Sequence, residues 1–414
     1  MNIWLICQYY KPEPGAPSAR LSGFAGVWQN AGHRVRVLTG LPNHPRGFVY
    51  EEHRNRGSFY EDEVDGVKVW RHWLYTTPNE GIRNKVISHV SFALSLLRNL
   101  FGRDHAPDVV VVSSPSFFAA VTGWLLAKRF RVPFVMEVRD LWPGIFVELG
   151  VLKQGKLLNA LEKLELFLYR QAAAVVTVTK GFAKDIAKRG IDPSKLYVIT
   201  NGVSDDELAY AASDIDDDID ALRTELQLNP LTRIVLYMGN HGVSQALGQV
   251  VDAAKVLLPR SDILFLMVGD GAEKERIKRI ARGLPNIQFI PSQPKERVWL
   301  FYKAAHVALV PLKDVKGFET FIPSKMFEIM AAARPMVGAL RGEGADILTA
   351  SQSAIVVPPE EPEKMAQAIL HLIDHPDKAD KMGAAGRAFV SQNYRHTLLG
   401  QQYLGILAKV TGRG

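Results

Sequence analysis

From one end of the chain to the other, short apolar runs rich in β-branched residues alternate with longer stretches of helical periodicity, and few folds admit that alternation. In the first half the strand-like runs are residues 2–7, 34–38, 67–72, 108–112, 134–137, 174–178 and 196–199; in the second they are 233–238, 263–268, 287–290, 307–310, 336–339 and 354–357. Several, such as 109–112 and 263–268, are almost continuously apolar, which suits parallel strands buried on both faces. The pattern predicts doubly wound α/β sheets with right-handed crossovers. A length of 414 residues fits two such domains. Thr200-Asn201-Gly202 precedes an acidic, weakly hydrophobic stretch at 213–220, so the boundary is placed there. Residues 1–200 then form one domain and 201–393 a second. Residues 394–414 form a last amphipathic helix, with Leu398, Leu399, Tyr403, Leu404 and Leu407 at helical spacing.

Composition narrows the function classes. Hydrophobic residues at 47% supply two cores without disulfides or metals. Cys7 is the single cysteine, which excludes an intramolecular disulfide and a multi-cysteine zinc site; it reads as a small core residue. The chain enters a strand at once, without the pattern of a signal peptide, and no run of ~20 apolar residues spans a bilayer, so a cytoplasmic protein is expected. The net charge of +7 is uneven. Residues 1–200 hold 26 Lys and Arg against 17 Asp and Glu, and the remainder 24 against 26. The basic half implies an anionic neighbour: phospholipid headgroups, a diphosphate or nucleic acid.

Ligands of open α/β sheets bind beyond the carboxyl ends of the strands, so the chemistry belongs in the loops that follow them. After the first strand comes Tyr9-Tyr10-Lys11-Pro12-Glu13-Pro14-Gly15-Ala16-Pro17, then a helical run. Gly15 and Ala16 could bring backbone close to a phosphate at the helix start. The loop lacks a Gly-x-Gly-x-x-Gly fingerprint, which counts against a nicotinamide site. His44, after the second strand, suits acceptor binding or proton transfer, and equally a surface histidine held by prolines. Arg139 and Asp140 end the strand near residue 137, before Trp142 and Pro143, and read as a ligand-facing pair or a loop anchor. In the second half, Tyr237-Met238-Gly239-Asn240-His241-Gly242 follows a strand and can offer N–H groups to a diphosphate; Val268-Gly269-Asp270-Gly271 suits close approach of a nucleoside.

The strongest cluster is Thr320-Phe321-Ile322-Pro323-Ser324-Lys325-Met326-Phe327-Glu328. Pro323 marks a helix start, with Ser324 and Lys325 in the first turn, where N–H groups and a cation could meet a diphosphate. A lysine there opposes the helix dipole, which argues for a ligand. Glu328 lies one turn on along the same face, as a second ligand contact or a surface ion-pair partner. The run 214–220 contains Asp-x-Asp but reads as a solvated acidic loop capping the next helix. A further helix over 83–103 carries Val86, Val90, Ala93, Leu94, Leu97, Leu100 and Phe101 on one face, flanked by Arg83, Lys85, Arg98 and Arg103. It suits a membrane interface or packing on the sheet.

Taken together, these residues resemble glycosyltransferase family 4, which has the GT-B fold. The resemblance runs through Gln8-Tyr9-Tyr10-Lys11-Pro12-Glu13, residues 31–40, Asp140-Leu141-Trp142-Pro143, Ile199-Thr200-Asn201-Gly202-Val203 and Pro323 to Glu328. The branch looks like the bacterial transferases of O-antigen, capsule and exopolysaccharide assembly, including those that transfer N-acetyl-L-fucosamine. The resemblance implies two Rossmann-like domains facing each other across a cleft, the acceptor held by the first and a nucleotide sugar, with UDP as carrier, by the second. The last helix is implied to cross back to the first domain. It implies a retaining hexosyl- or N-acetylhexosaminyl-type transferase that needs no metal or cofactor. Its partners would be the donor and a lipid-diphosphate-linked or saccharide acceptor, with no nucleic acid, at the cytoplasmic face of the membrane.

By the same resemblance Glu328 matches the ribose-binding glutamate, and Thr320 falls where the family has a glutamate at the donor sugar. Asn240 and Gln245 fall where it often has a diphosphate-binding Arg and Lys, so Lys325 is assigned their work. His44, Arg139, Asp140 and Lys325 are the residues expected at the chemistry. Gly15, Ala16, Asn240, Gly242, Gly269, Gly271, Thr320, Pro323, Ser324, Lys325 and Glu328 are expected to hold the donor. Two rival readings remain: a sugar-nucleotide epimerase of the same architecture, active on donor alone, and a membrane-associated assembly scaffold without nucleotide affinity.

Overall fold

In a computed structural model the chain divides into two compact units, Met1–Thr200 with His396–Gly414, and Asn201–Arg395. The structure describes residues 1–45, 47–77, 82–101, 106–114, 116–141, 155–213 and 215–413. Arg103, Trp142, Pro143 and Asp214 lie outside the described residues.

The first unit is built on an eight-stranded sheet of order β3-β4-β2-β1-β5-β6-β7-β8. Its strands are β1 (Asn2–Ile6), β2 (Arg34–Gly40), β3 (Phe59–Val64), β4 (Val67–His72), β5 (Val109–Ser113), β6 (Phe134–Val138), β7 (Ala174–Thr177) and β8 (Leu196–Val198). All pairings are parallel except β3 with β4. The parallel strands β1, β5, β6 and β7 are buried nearly throughout, as their continuous apolar runs require. Strand β3 departs from the expected list. Its sequence, Phe-Tyr-Glu-Asp-Glu-Val, is a half-exposed edge hairpin arm whose charges hide it from a search for apolar runs.

Cys7 follows β1 and is buried; burial raises its thiol to about 12, which keeps it protonated as a core residue. The helix His396–Thr411 packs on Ala16–Asn30 within this unit, with Tyr403 and Leu407 fully buried beside Phe24 and Trp28. The indole N–H of Trp28 donates to the Gly400 carbonyl at 3.0 Å.

The helix Ile82–Leu96 and the short turn Leu97–Leu100 correct the expected amphipathic face. Phe92, Ala93, Leu96, His89 and Asn99 are buried, and the helix packs on Phe117–Phe130. Val86, Ile87, Leu94 and Phe101 are exposed, Phe101 by 85%. The polar residues that break the apolar run therefore point inward, and the apolar exposure sits on a narrower outer strip. Among the described residues, no helix is long and apolar enough to cross a membrane.

The second unit has six parallel strands in the order β11-β10-β9-β12-β13-β14. They are β9 (Arg233–Met238), β10 (Ile263–Val268), β11 (Ile287–Ile290), β12 (Val307–Pro311), β13 (Met336–Ala339) and β14 (Ala354–Val357). The acidic run begins the helix Asp216–Glu225, where Asp216, Asp217 and Asp218 occupy the first turn and favour its dipole. In each sheet the strand order reverses beside the first strand, between β1 and β5 and between β9 and β12. In open α/β sheets such reversal points are where ligands bind, beyond the strand ends.

Candidate functional site

In the second unit the reversal point is flanked by the loop after β9 and the segment that runs from β12 to the helix Lys325–Ala331. Ser324 stands at that helix's N-cap and Pro323 precedes it. The helix has seven residues, so few aligned peptide dipoles sum at its start, and the expected helix-end contribution shrinks. The positive charge at this point comes from Lys325 itself. Its Nζ lies 4.1 Å from the ring centroid of Tyr237 and donates to Gln245 Oε1 at 3.2 Å. It makes no ion pair among the described residues. Burial lowers its pKa to about 7. The charge of Glu328 pulls the other way without forming an ion pair, so burial leaves this cation only partly compensated.

Around Lys325 the loops are pressed together. A Cβ on Gly239 would lie 3.0 Å from Lys325 Nζ, and a Cβ on Gly269 would run into the Gly239 carbonyl oxygen. Both have strongly positive φ, 137° and 136°, so only glycine serves there. Tyr237 donates its hydroxyl to the Asn240 carbonyl at 2.6 Å, which fixes the turn that carries Asn240 and Gly242. Gly271 sits against Asn240, where a Cβ would approach Asn240 Oδ1 at 2.5 Å. Asp270 is held from two sides, by Lys274 Nζ at 2.5 Å and by the Ser292 N–H at 2.9 Å. His241 beneath this turn is buried, and burial lowers its pKa to about 4, so it stays neutral.

Glu328 is one turn along from Lys325, but the two do not pair. Glu328 Oε2 accepts the Tyr302 hydroxyl at 2.9 Å, and its other oxygen takes no hydrogen bond among the described residues. Burial first, then the charge of Glu207, raises its pKa. Thr320 donates its hydroxyl to the Gly317 carbonyl at 3.0 Å inside its own turn, while Glu319 beside it is exposed.

The first unit gathers a different set. Gly15 caps the helix Ala16–Asn30, and a Cβ there would meet only Pro17 Cδ, at 3.7 Å. Glu13 is buried and bridges two loops. Its Oε1 accepts the N–H groups of Asn43 and His44, each at 2.9 Å, and its Oε2 that of Tyr10 at 3.1 Å. His44 lies with its ring centroid 5.3 Å from that of Tyr9; burial and Lys85 lower its pKa. Arg139 donates its backbone N–H to Ser114 Oγ at 2.8 Å, and its buried Nη1 has no hydrogen-bond partner among the described residues. Burial lowers the Arg139 guanidinium to about 10 and raises the pKa of Asp140. No ion pair joins Arg139 to Asp140 among the described residues. Below them Arg20 and Glu137 form a buried pair at 3.2 Å, with Arg20 also donating to the carbonyls of Ile199 and Thr200. Among the described residues no group of three or more His, Cys, Asp and Glu gathers to hold a metal.

Residues 15–202 match the family described as Glycosyl transferase 4-like domain, and residues 232–375 match Glycosyl transferases group 1. The chain belongs to the family 4 glycosyltransferases. Among relatives of this glycosyltransferase is WcaI of Escherichia coli, named as a glycosyl transferase of colanic acid biosynthesis. It is 29% identical over 341 residues, which cover 80% of this chain and 81% of that one. A D-inositol 3-phosphate glycosyltransferase of Segniliparus rotundus is 27% identical over 341 residues, covering 79% and 72%. The GT-B fold is shared with sucrose-phosphate synthase of Thermosynechococcus elongatus at TM-score 0.76 and 17% identity, covering 100% of both chains. It is shared also with Anabaena HepE, solved with UDP and glucose, at TM-score 0.72 and 16% identity, covering 99% of this chain and 100% of that one.

Sequence reasoning about this glycosyltransferase names Tyr237 and Glu13 only within their loops and does not name Tyr302. Each acts on a candidate residue from a different element, and linear spacing carries no signal of such contacts. Gln245 carries no charge, yet its amide oxygen is what Lys325 reaches.

Proposed function

We propose that this glycosyltransferase moves a sugar from a UDP-sugar to a lipid-diphosphate-linked or saccharide acceptor during assembly of a cell-surface polysaccharide. The Asn201–Arg395 unit holds the donor and the other unit the acceptor. An N-acetylated deoxyhexose is the donor sugar we favour, and configuration is retained. One observation carries the reading: Lys325, at the reversal point of the second sheet, is a partly buried cation without an anion. A diphosphate supplies the missing charge. The loops at Gly239–Gly242 and Gly269–Gly271 hold the nucleotide's remaining parts, and Glu328, with one oxygen free, meets the ribose. The relative named for colanic acid biosynthesis and the neighbours solved with UDP support this choice of pathway and carrier.

In the transfer step the bond from the sugar's anomeric carbon to the diphosphate oxygen breaks on the face where the acceptor hydroxyl arrives. The new glycosidic bond forms there, and the hydroxyl proton passes to the departing phosphate oxygen. Lys325 stabilises the charge that grows on that leaving group, which is where a fixed cation helps most. His44, Arg139 and Asp140 orient the acceptor. The exposed strip of Val86, Ile87, Leu94 and Phe101, with Arg83 and Lys85 beside it, rests on the cytoplasmic face of a membrane.

Thermal stabilisation by UDP, GDP and ADP, followed by transfer assays with the matching donors and lipid-diphosphate sugars, tests the proposal. UDP should stabilise the chain, and sugar should appear on the acceptor only when acceptor is present. Sugar release or epimerisation from donor alone would favour an epimerase, and no nucleotide affinity at all would favour a scaffold.

A further inference from the structure

Tyr302 lies on the helix Lys295–Ala304 and is 2% exposed. A phenol hydroxyl this deeply buried must find a partner. Two carboxylates lie near it, Glu207 and Glu328. Glu207 has both oxygens engaged, Oε2 by the Ser204 N–H at 2.8 Å and Oε1 by the Lys295 ammonium at 2.9 Å. Glu207 belongs to the capping box that starts the helix Asp205–Ala212, so its position is set by that helix. Tyr302 is therefore left to serve Glu328, to which it donates at 2.9 Å. Burial and the charge of Glu328 hold the phenol pKa well above its ordinary value, so it remains a donor at working pH.

Fixing one oxygen of a carboxylate fixes the direction of the other. The free oxygen of Glu328 belongs to the residue one turn beyond Lys325, on the same face of Lys325–Ala331. We infer that Tyr302 is a positioning residue that aims Glu328 at the vicinal hydroxyls of a nucleotide ribose, so that the site selects ribonucleotides over 2′-deoxyribonucleotides. The inference rests on the reading that Asn201–Arg395 binds a nucleoside diphosphate. It adds to that reading a discriminating function and the residue that sets it. A carboxylate free to turn would still attract a hydroxyl but would lose the geometry that separates one sugar from the other.

The test is a calorimetric titration of the full chain with UDP and with 2′-deoxy-UDP. Wild type should bind UDP about tenfold more tightly, the worth of one hydrogen bond to a charged acceptor. Tyr302→Phe keeps the ring and removes the donor. It should weaken UDP binding while leaving 2′-deoxy-UDP nearly unchanged, so that the preference falls to about twofold. Glu328→Gln should lower the preference in the same way, and it carries the test if Tyr302→Phe does not fold. A tenfold preference that survives in Tyr302→Phe, or in Glu328→Gln where that variant stands in, overturns the inference, as does a wild type that binds both nucleotides equally. A wild type that binds neither UDP, GDP nor ADP overturns the donor-site reading and this inference with it.

Discussion

Each unit carries an out-of-place ionisable group beside its candidate site, and the two are opposite in sign and in circumstance. Glu13 in the first unit is a buried carboxyl that three backbone N–H groups satisfy. Lys325 in the second is a cation that a tyrosine face and one amide oxygen leave short of a counter-charge. Burial drives both pKa values to about 7, Glu13 from below and Lys325 from above. The similar value hides a different meaning. Glu13 is an internal staple whose partners are already in place, whereas Lys325 makes no ion pair among the described residues, which is what the proposed diphosphate would supply. A perturbed pKa marks a group under strain from its surroundings; its hydrogen-bond partners tell whether the strain serves the fold or a ligand.

That contrast can be broken by experiment. Glu13→Ala strands three N–H groups, and we expect a stability loss of about 3 kcal/mol in chemical denaturation, with UDP affinity changed less than twofold. Lys325→Met should do the reverse. UDP affinity should fall about 30-fold, or roughly 2 kcal/mol, by calorimetry, while the unliganded chain is as stable as before or more so. A large loss of unliganded stability in Lys325→Met would show that the lysine belongs to the fold.

The pH dependence separates the two groups more finely. A carboxyl raised from 4.5 to about 7 makes the folded chain hold an extra proton between those values, so its contribution to stability is full below 4.5 and is lost as pH rises through 7. A lysine lowered from 10.5 to about 7 leaves the extra proton on the unfolded chain, so its penalty is full below 7 and relaxes as pH climbs towards 10.5. Glu13→Gln should flatten the first slope and Lys325→Met the second, with hydrogen exchange assigning each to its unit. UDP binding near pH 8 should take up a proton in wild type, seen in buffers of different ionisation enthalpy, and should take up none in Lys325→Met. The smallest effect belongs to the surface of the first unit. Leu94→Ser with Phe101→Ser should leave stability within about 0.5 kcal/mol and lower partition onto anionic phospholipid vesicles a few-fold.

The buried parallel strands were legible because a strand covered on both faces must be apolar along its length. β3 was not, since an edge arm can expose Glu61 and Glu63 without cost. The place of Lys325 at a helix start was legible, but its surroundings were not. Tyr237, Gln245 and Gly239 reach it from residues about eighty positions earlier, through a sheet whose strand order has to be known first. Spacing alone offers Glu328 a shared ligand or an ion pair with Lys325, and in the structure no such pair forms; its Oε2 accepts from Tyr302 on a neighbouring helix. Local spacing fixes which face of a helix two residues share, but it does not fix what else arrives at that face.

The helix His396–Thr411 has a consequence for biosynthesis. It completes the core around Phe24 and Trp28, yet it leaves the ribosome after every residue of Asn201–Arg395. Vectorial synthesis usually lets the leading domain finish first. Here the trailing, contiguous unit can close while the leading one still shows the groove on Ala16–Asn30 that Tyr403 and Leu407 fill. In a nascent chain that apolar groove stays uncovered until the helix His396–Thr411 has been made.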